Sequence, residues 1–257
     1  MKILVCIKQI PDMESRFKVD TNGTWYDQTD LAWRMNEYDE YAVEQAVQLK
    51  EQLGDADLTV LCIGPDRVKE TIKKALAMGA DRGVQVADND SHLRDPLAIA
   101  TLIANYAREQ AFDLIFTGMQ SQDRGSAQVG VLVGELLGMP SLTTLVEFRY
   151  ADGMITAKRE LEGGNRALVS CDTPALVTCQ LGLNTPRYPT LPNIMKAKKK
   201  ELLSIPVTDL HPGEPLQKTI RMALPEKRGG GLVLEGDPAQ LADQLMRILK
   251  EKTTVLA

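Results

Sequence analysis

Residues 116–138, FTGMQSQDRGSAQVGVLVGELLG, hold the residue types best suited to chemistry in this chain. An apolar strand runs into Gly118, a polar loop carries Gly125, and a helix is expected to begin near Ser126. The small residues Gly125, Ser126 and Ala127 let backbone amides approach an anion, and the helix start behind them adds free N–H groups and the positive end of a dipole. Asp123 has the wrong sign for phosphate, so it is expected to bond a backbone amide or a ribose hydroxyl. The loop contains no GK[ST] and does not fit GxGxxG. The competing reading is a glycine-bearing strand-to-helix loop in which Ser126 is an N-cap and nothing more.

A second group lies at the ends of other expected strands: Cys6 to Lys8, and Ile63 with Gly64. Asn36 precedes a helix, where an Asx side chain either caps the helix or reads a base edge. Reactive groups are scarce. The two histidines, His92 and His211, stand in polar, loop-like surroundings and read as surface residues; no HExxH, GxSxG or metal-ligand spacing occurs. Cys6, Cys62, Cys171 and Cys179 form no CxxC pair and read as buried free thiols of a reducing compartment. These features describe a binding site rather than a reactive one.

The third feature is PRYPTLPNIMKAKKK, residues 186–200. Pro186, Pro189 and Pro192 argue against a central strand or a helix interior, so an extended, proline-stiffened loop is expected. It carries apolar Leu191, Ile194 and Met195, then Lys196, Lys198, Lys199 and Lys200. A solvated basic turn covering its own core is the plain alternative.

The elements that must position these groups alternate. ILVCIKQI (3–10), DLTVLCIG (57–64), RGVQVA (82–87) and FDLIFTG (112–118) read as buried parallel strands. Between them, 37–54, 66–80 and 95–110 have helical periodicity, the last with Asp95 as N-cap and Pro96 at the first position. This predicts an α/β fold with a doubly wound, mostly parallel Rossmann-like sheet. After Pro140, turns at Asp152–Gly153 and Gly163–Gly164 predict added antiparallel hairpins. A last helix should start near Asp237–Pro238. From residue 204 onward the apolar content is too low for an independent core. The expected division is therefore a domain 1–203 carrying the loop 184–200, and a C-terminal arm 204–257.

The chain of 257 residues has a net charge of −5, which argues against a general nucleic-acid binder and makes the lysine cluster a local feature. No apolar run approaches the roughly 20 residues of a membrane span, and the N-terminal run is too short for a signal sequence. A bacterial cytoplasm or a mitochondrial matrix is expected.

Together these segments resemble one family, the β subunits of electron transfer flavoproteins. ILVCIKQIPD resembles the first strand, MNEYDEYAVEQAVQLKE the first helix, ETIKKALAMGADRG the second helix and turn, GMQSQDRGSAQVG the nucleotide loop, and PRYPTLPNIMKAKKK the partner-recognition loop. The resemblance covers nearly the whole chain. It implies an electron carrier subunit rather than an enzyme, paired in a heterodimer with an α subunit that holds the redox-active FAD. The β subunit itself is expected to hold AMP in a structural role. The implied contacts are Cys6, Asn36, Glu37, Tyr38, Asp39 and Ile63, with Gly118, Met119, Gln120, Ser121, Gln122 and Asp123. The same loop continues them through Arg124, Gly125, Ser126, Ala127, Gln128 and Val129. The recognition loop implies docking of acyl-CoA dehydrogenases through Leu191, Pro192, Ile194, Met195, Lys196 and Lys199. Electrons would pass on through a quinone oxidoreductase towards the quinone pool, in fatty acid oxidation. The loop departs from the acidic, threonine-containing form of familiar relatives, and its AQVG also resembles electron-bifurcating relatives with a second FAD in place of AMP. The recognition loop favours AMP and a non-bifurcating carrier. An adenine-nucleotide hydrolase or sensor domain on the same fold is the rival from another class.

Overall fold

The computed structural model describes residues 1–226 and 229–254. The strands are β1 (Lys2–Ile7), β2 (Gln9–Pro11), β3 (Trp33–Met35), β4 (Asp57–Gly64), β5 (Arg82–Ala87), β6 (Leu114–Gly118), β7 (Ser141–Ala151), β8 (Met154–Glu160), β9 (Arg166–Asp172), β10 (Ala175–Cys179) and β11 (Leu202–Pro206). The helices are α1 (Glu37–Leu53), α2 (Val68–Met78), α3 (Pro96–Gln110), α4 (Val129–Leu137), α5 (Leu191–Ala197) and α6 (Pro238–Lys252). Two compact units result: Met1–Met222, and a second that begins at Ala223.

The first unit is built on one sheet of order β11-β5-β4-β1-β6-β10-β7-β8-β9. Pairing is parallel from β11 to β7, and antiparallel where β8 and β9 extend it. Side chains alternate across β1, so Ile3 and Val5 pack in the core under α1 and α2, while Leu4 and Cys6 face the core under α3. Both faces are covered, which is why β1, β4 and β6 read as unbroken apolar runs. The chain moves outward from β1 through β4 to β5, then crosses to β6 on the other side of β1. That reversal leaves a crevice at the carboxyl ends of β1 and β6, where open α/β sheets hold ligands.

Local chemistry sets the helix ends. Gly54 takes the left-handed conformation (φ 75°) and its N–H returns to the Lys50 carbonyl. The Asp95 carboxylate accepts from the Ala98 N–H at 2.8 Å, with Pro96 at the first position, as expected. Turns at Asp152–Gly153 and Gly163–Gly164 join β7, β8 and β9, again as expected.

Three expectations change. ALVTC is no hairpin arm: β10 threads back into the sheet, fully buried and parallel between β6 and β7. The segment after Pro189 is helical, not extended: Thr190 caps α5 by accepting from the Asn193 N–H at 3.4 Å, and Pro192 sits in the first turn, where no amide donor is needed. The sequence divides at residue 203, whereas the first unit runs to Met222, because β11 pairs with β5 across that point. In the second unit, α6 opens on an Asp237–Gln240 capping box. Of the expected arm, Lys227, Arg228 and residues 255–257 lie outside the described residues.

Candidate functional site

A cavity of about 170 Å³ opens at the carboxyl ends of β1, β4 and β6. Its frame is Asp39, a buried side chain in the first turn of α1. The carboxylate accepts from the main-chain N–H of Lys8 (2.6 Å) and of Gly118 (3.2 Å), and from Asn36 Nδ2 (3.0 Å). One side chain thus ties β1, β6 and α1 together at the crevice. Burial pushes the Asp39 carboxyl up to about 7, against the opposing pull of these donors and of Lys8. Gly118 has to be glycine here, since a Cβ would meet Asp39 Oδ1 and come within 2.7 Å of Tyr38 Cβ.

Asn36 neither caps α1 nor points freely into the cavity. Besides Asp39, its Nδ2 donates to the Gln120 carbonyl (2.8 Å), and its Oδ1 accepts from the Gln122 N–H (3.1 Å), so it holds the loop after β6. Asp123 also departs from expectation: both oxygens accept from Lys8 Nζ at 2.7 Å, and the same Nζ reaches Ser121 Oγ at 3.2 Å. Burial lowers the Lys8 pKa, and Asp123 opposes that shift. The loop turns at Gly125 (φ 62°) and Ala127 (φ 52°), and α4 starts at Val129 rather than Ser126. Among the described residues no side chain caps α4, so its first N–H groups stand at the cavity end of the helix without a side-chain acceptor. Gly130 lets α4 approach the sheet, where a Cβ would lie 2.6 Å from Thr117 Oγ1.

The structure brings Cys6, Asn36, Asp39, Ile63, Gly118, Met119, Gln120, Ser121, Asp123, Arg124 and Ser126 to Val129 into the lining of this one cavity. Glu37, Tyr38, Gln122 and Gly125 stand behind it: Gln122 Nε2 donates to Glu37 (2.8 Å) and Gln120 Nε2 to the Tyr38 hydroxyl (3.1 Å). The sequence reading missed other residues of the lining: Gln9, Trp25, Tyr26, Trp33, Arg67, His92 and Arg94. The Arg67 guanidinium lies 3.8 Å from the Trp33 ring centroid and Arg124 4.8 Å from that of Trp25. Arg124 also donates to the main-chain carbonyls of Arg94 (3.0 Å) and His92. His92 is half-buried and packs 5.5 Å from Trp25, so it is no solvated surface residue. The signal available for Trp25 and Tyr26 was length: residues 12–32 are a long connection with little regular structure, and such segments tend to be functional.

The chemistry on offer is binding. Burial raises the Cys6 thiol, and the Cys62 thiol to about 12, so neither is a ready thiolate. Among the described residues no group of His, Cys, Asp or Glu is placed to hold a metal.

The second predicted surface is α5. Leu191 is 78% exposed and Met195 60%, four residues apart on one helical face, with Ile194 and the first-turn Pro192 beside them. Lys196, Lys198 and Lys199 are exposed, but Lys200 Nζ donates to the carbonyls of Leu76 (2.9 Å) and Ala80 at the end of α2. Lys200 therefore braces the segment instead of standing exposed with the other three lysines. At the other end, Arg187 donates to buried Glu44 (2.8 and 3.0 Å) and to Glu51 (2.6 and 3.0 Å) on α1.

The family model described as "Electron transfer flavoprotein domain" matches residues 24–210. The chain is 37% identical over 261 residues to the electron transfer flavoprotein subunit beta of Bacillus subtilis, with 100% of both chains covered. It is 34% identical to the mitochondrial subunit beta of Arabidopsis thaliana, again over 100% of both, and 32% identical to that of Methylophilus methylotrophus over 98% of each.

Proposed function

We propose a function from one premise: this chain belongs to the electron transfer flavoprotein family, and the relatives it matches end to end are β subunits. It acts as the β subunit of a two-subunit electron carrier, and not as an enzyme. It pairs with an α subunit that holds the redox-active FAD, and it holds AMP in its own cavity. The observation that carries the reading is the cavity at the β1–β6 crevice, which pairs the uncapped start of α4 with buried polar atoms that lack partners. Those features fit a phosphate and a base. The nucleotide supplies buried contact surface and no reaction. Cys6, Ile63 and Val129 give the apolar side of the site. Ser126 to Val129 face the phosphate, and Asp39 with Asn36 fix the loop that closes over it.

Docking is assigned to α5. Leu191 and Met195 form a small apolar anchor, and Lys196, Lys198 and Lys199 steer an acidic partner surface of the acyl-CoA dehydrogenase type. A preformed helix braced at both ends incurs little ordering cost at each encounter. A small anchor with a charged rim also permits release, which a carrier requires before it passes electrons on to a quinone oxidoreductase. The α6 arm, with Leu245 and Met246 exposed, is assigned to the α subunit.

The test is electron transfer from an acyl-CoA dehydrogenase to the assembled carrier, followed by stopped flow at several salt concentrations. Leu191→Ala is expected to slow transfer and keep its salt dependence. Neutralising Lys196, Lys198 and Lys199 is expected to flatten that dependence. Unchanged rates in both variants would remove α5 from the docking surface.

A further inference from the structure

We propose that Trp25 is a ligand-binding residue of this cavity, its indole N–H donating to an oxygen of the bound adenine nucleotide. The inference rests on the nucleotide reading above. Trp25 is only 8% exposed and lies on the cavity wall. Among the described residues its Nε1 meets no acceptor at hydrogen-bond geometry, although it lies near enough to the Tyr26 hydroxyl to favour that group's ionised form. A buried donor left without an acceptor is costly, and the cost is met when a ligand supplies one.

The ring is held, so its edge is fixed. Arg124 lies over it at 4.8 Å, the Tyr26 ring is 4.7 Å away, and the His92 ring 5.5 Å. Its own backbone is fixed too: the Trp25 carbonyl accepts from the Asp20 N–H at 2.8 Å, and its N–H donates to Asp20 Oδ1 at 3.3 Å.

Charge indicates the kind of acceptor. Arg67 and Arg124 both line the cavity, and among the described residues neither has a carboxylate within ion-pair distance. Two guanidinium groups without a carboxylate partner, each stacked on one of the tryptophan rings, favour an anionic oxygen, as a nucleotide phosphate provides. A second buried atom without a partner, Gln9 Oε1, lines the same cavity and is an acceptor, because Gln9 Nε2 is already committed to Arg67 O (3.1 Å) and Thr71 Oγ1 (2.8 Å). An unused donor near cations and an unused acceptor elsewhere match a ligand with phosphate oxygens and an amine or hydroxyl, which an adenine nucleotide combines.

The experiment uses the full chain stripped of nucleotide and titrated calorimetrically with AMP and, in parallel, with FAD. Trp25→Phe keeps a stacking ring and removes only the N–H. The expected result is about tenfold weaker binding of whichever nucleotide the parent binds, the value of one hydrogen bond to a charged acceptor. Trp33→Phe leaves Trp25 as the only tryptophan. In that variant nucleotide binding is expected to change the indole emission, a readout that holds even if Trp25→Phe folds poorly. Equal affinity in Trp25→Phe, or unchanged emission in Trp33→Phe, overturns the assignment of Trp25 while the nucleotide site stands. Failure of the parent to bind either nucleotide overturns both.

Discussion

Arg187→Met is the sharpest test of how the chain before α5 is anchored. Arg187 approaches Glu44 through Nε and Nη2 and Glu51 through Nη1 and Nη2, so one guanidinium clamps the chain before α5 to α1. The two carboxylates are not equivalent: the Glu44 side chain is 4% exposed and that of Glu51 58%. Removing one partner of a buried pair costs about 3–5 kcal/mol because the other charge is stranded. Two donors to Glu44 survive the change, the main-chain N–H of residue 187 (3.1 Å) and Gln48 Nε2 (2.8 Å). The expected loss is therefore about 2–3 kcal/mol, below that full range. Glu51→Ala breaks only the exposed half and should cost about 0–1 kcal/mol. Joining Glu44→Gln to Arg187→Met removes the stranded charge and should recover part of the loss. Urea denaturation followed by circular dichroism measures all three. A cost under about 0.5 kcal/mol for Arg187→Met, or one equal to that of Glu51→Ala, would refute the clamp.

Gly118→Ala should destabilise by about 1–3 kcal/mol, since the new methyl meets the Asp39 carboxylate and Tyr38; a thermal melt with nucleotide content measured alongside checks it. Asp39 gives a pH dependence. Its folded pKa of about 7 stands above the unfolded value of about 3.9, so the folded state binds the extra proton between them. That contribution to stability is full below about pH 4 and is lost as pH rises through 7. Urea midpoints across this window should fall with rising pH in the parent more than in Asp39→Asn, and parallel curves would contradict the assignment. Lys200→Met should lower stability by about 1 kcal/mol by freeing the last carbonyls of α2, and should leave the salt dependence of electron transfer unchanged.

The parallel core was legible because strands buried on both faces must be apolar throughout, and the crevice follows from where the strand order reverses. Asp95 and Pro96 marked α3, and Asp237 marked α6, because capping chemistry is local. Other features depend on tertiary contacts that leave no local trace. Nothing in ALVTC tells a hairpin strand from one threaded between β6 and β7. Pro192 looked like a helix breaker, yet in a first turn its missing amide costs nothing. The lysines after Met195 are alike in sequence, and only the proximity of α2 turns Lys200 into a brace. Trp25, in a long irregular connection, has no periodicity to place it, so that part of the cavity lining stayed hidden.

The most direct test of the central claim is to denature the purified carrier, this chain with its co-expressed α subunit, and identify every released nucleotide by mass. One AMP and one FAD per pair is the predicted result. Two FAD and no AMP would contradict the simple carrier in favour of a bifurcating one, and release of FAD alone, one per pair, would contradict the nucleotide site at the β1–β6 crevice.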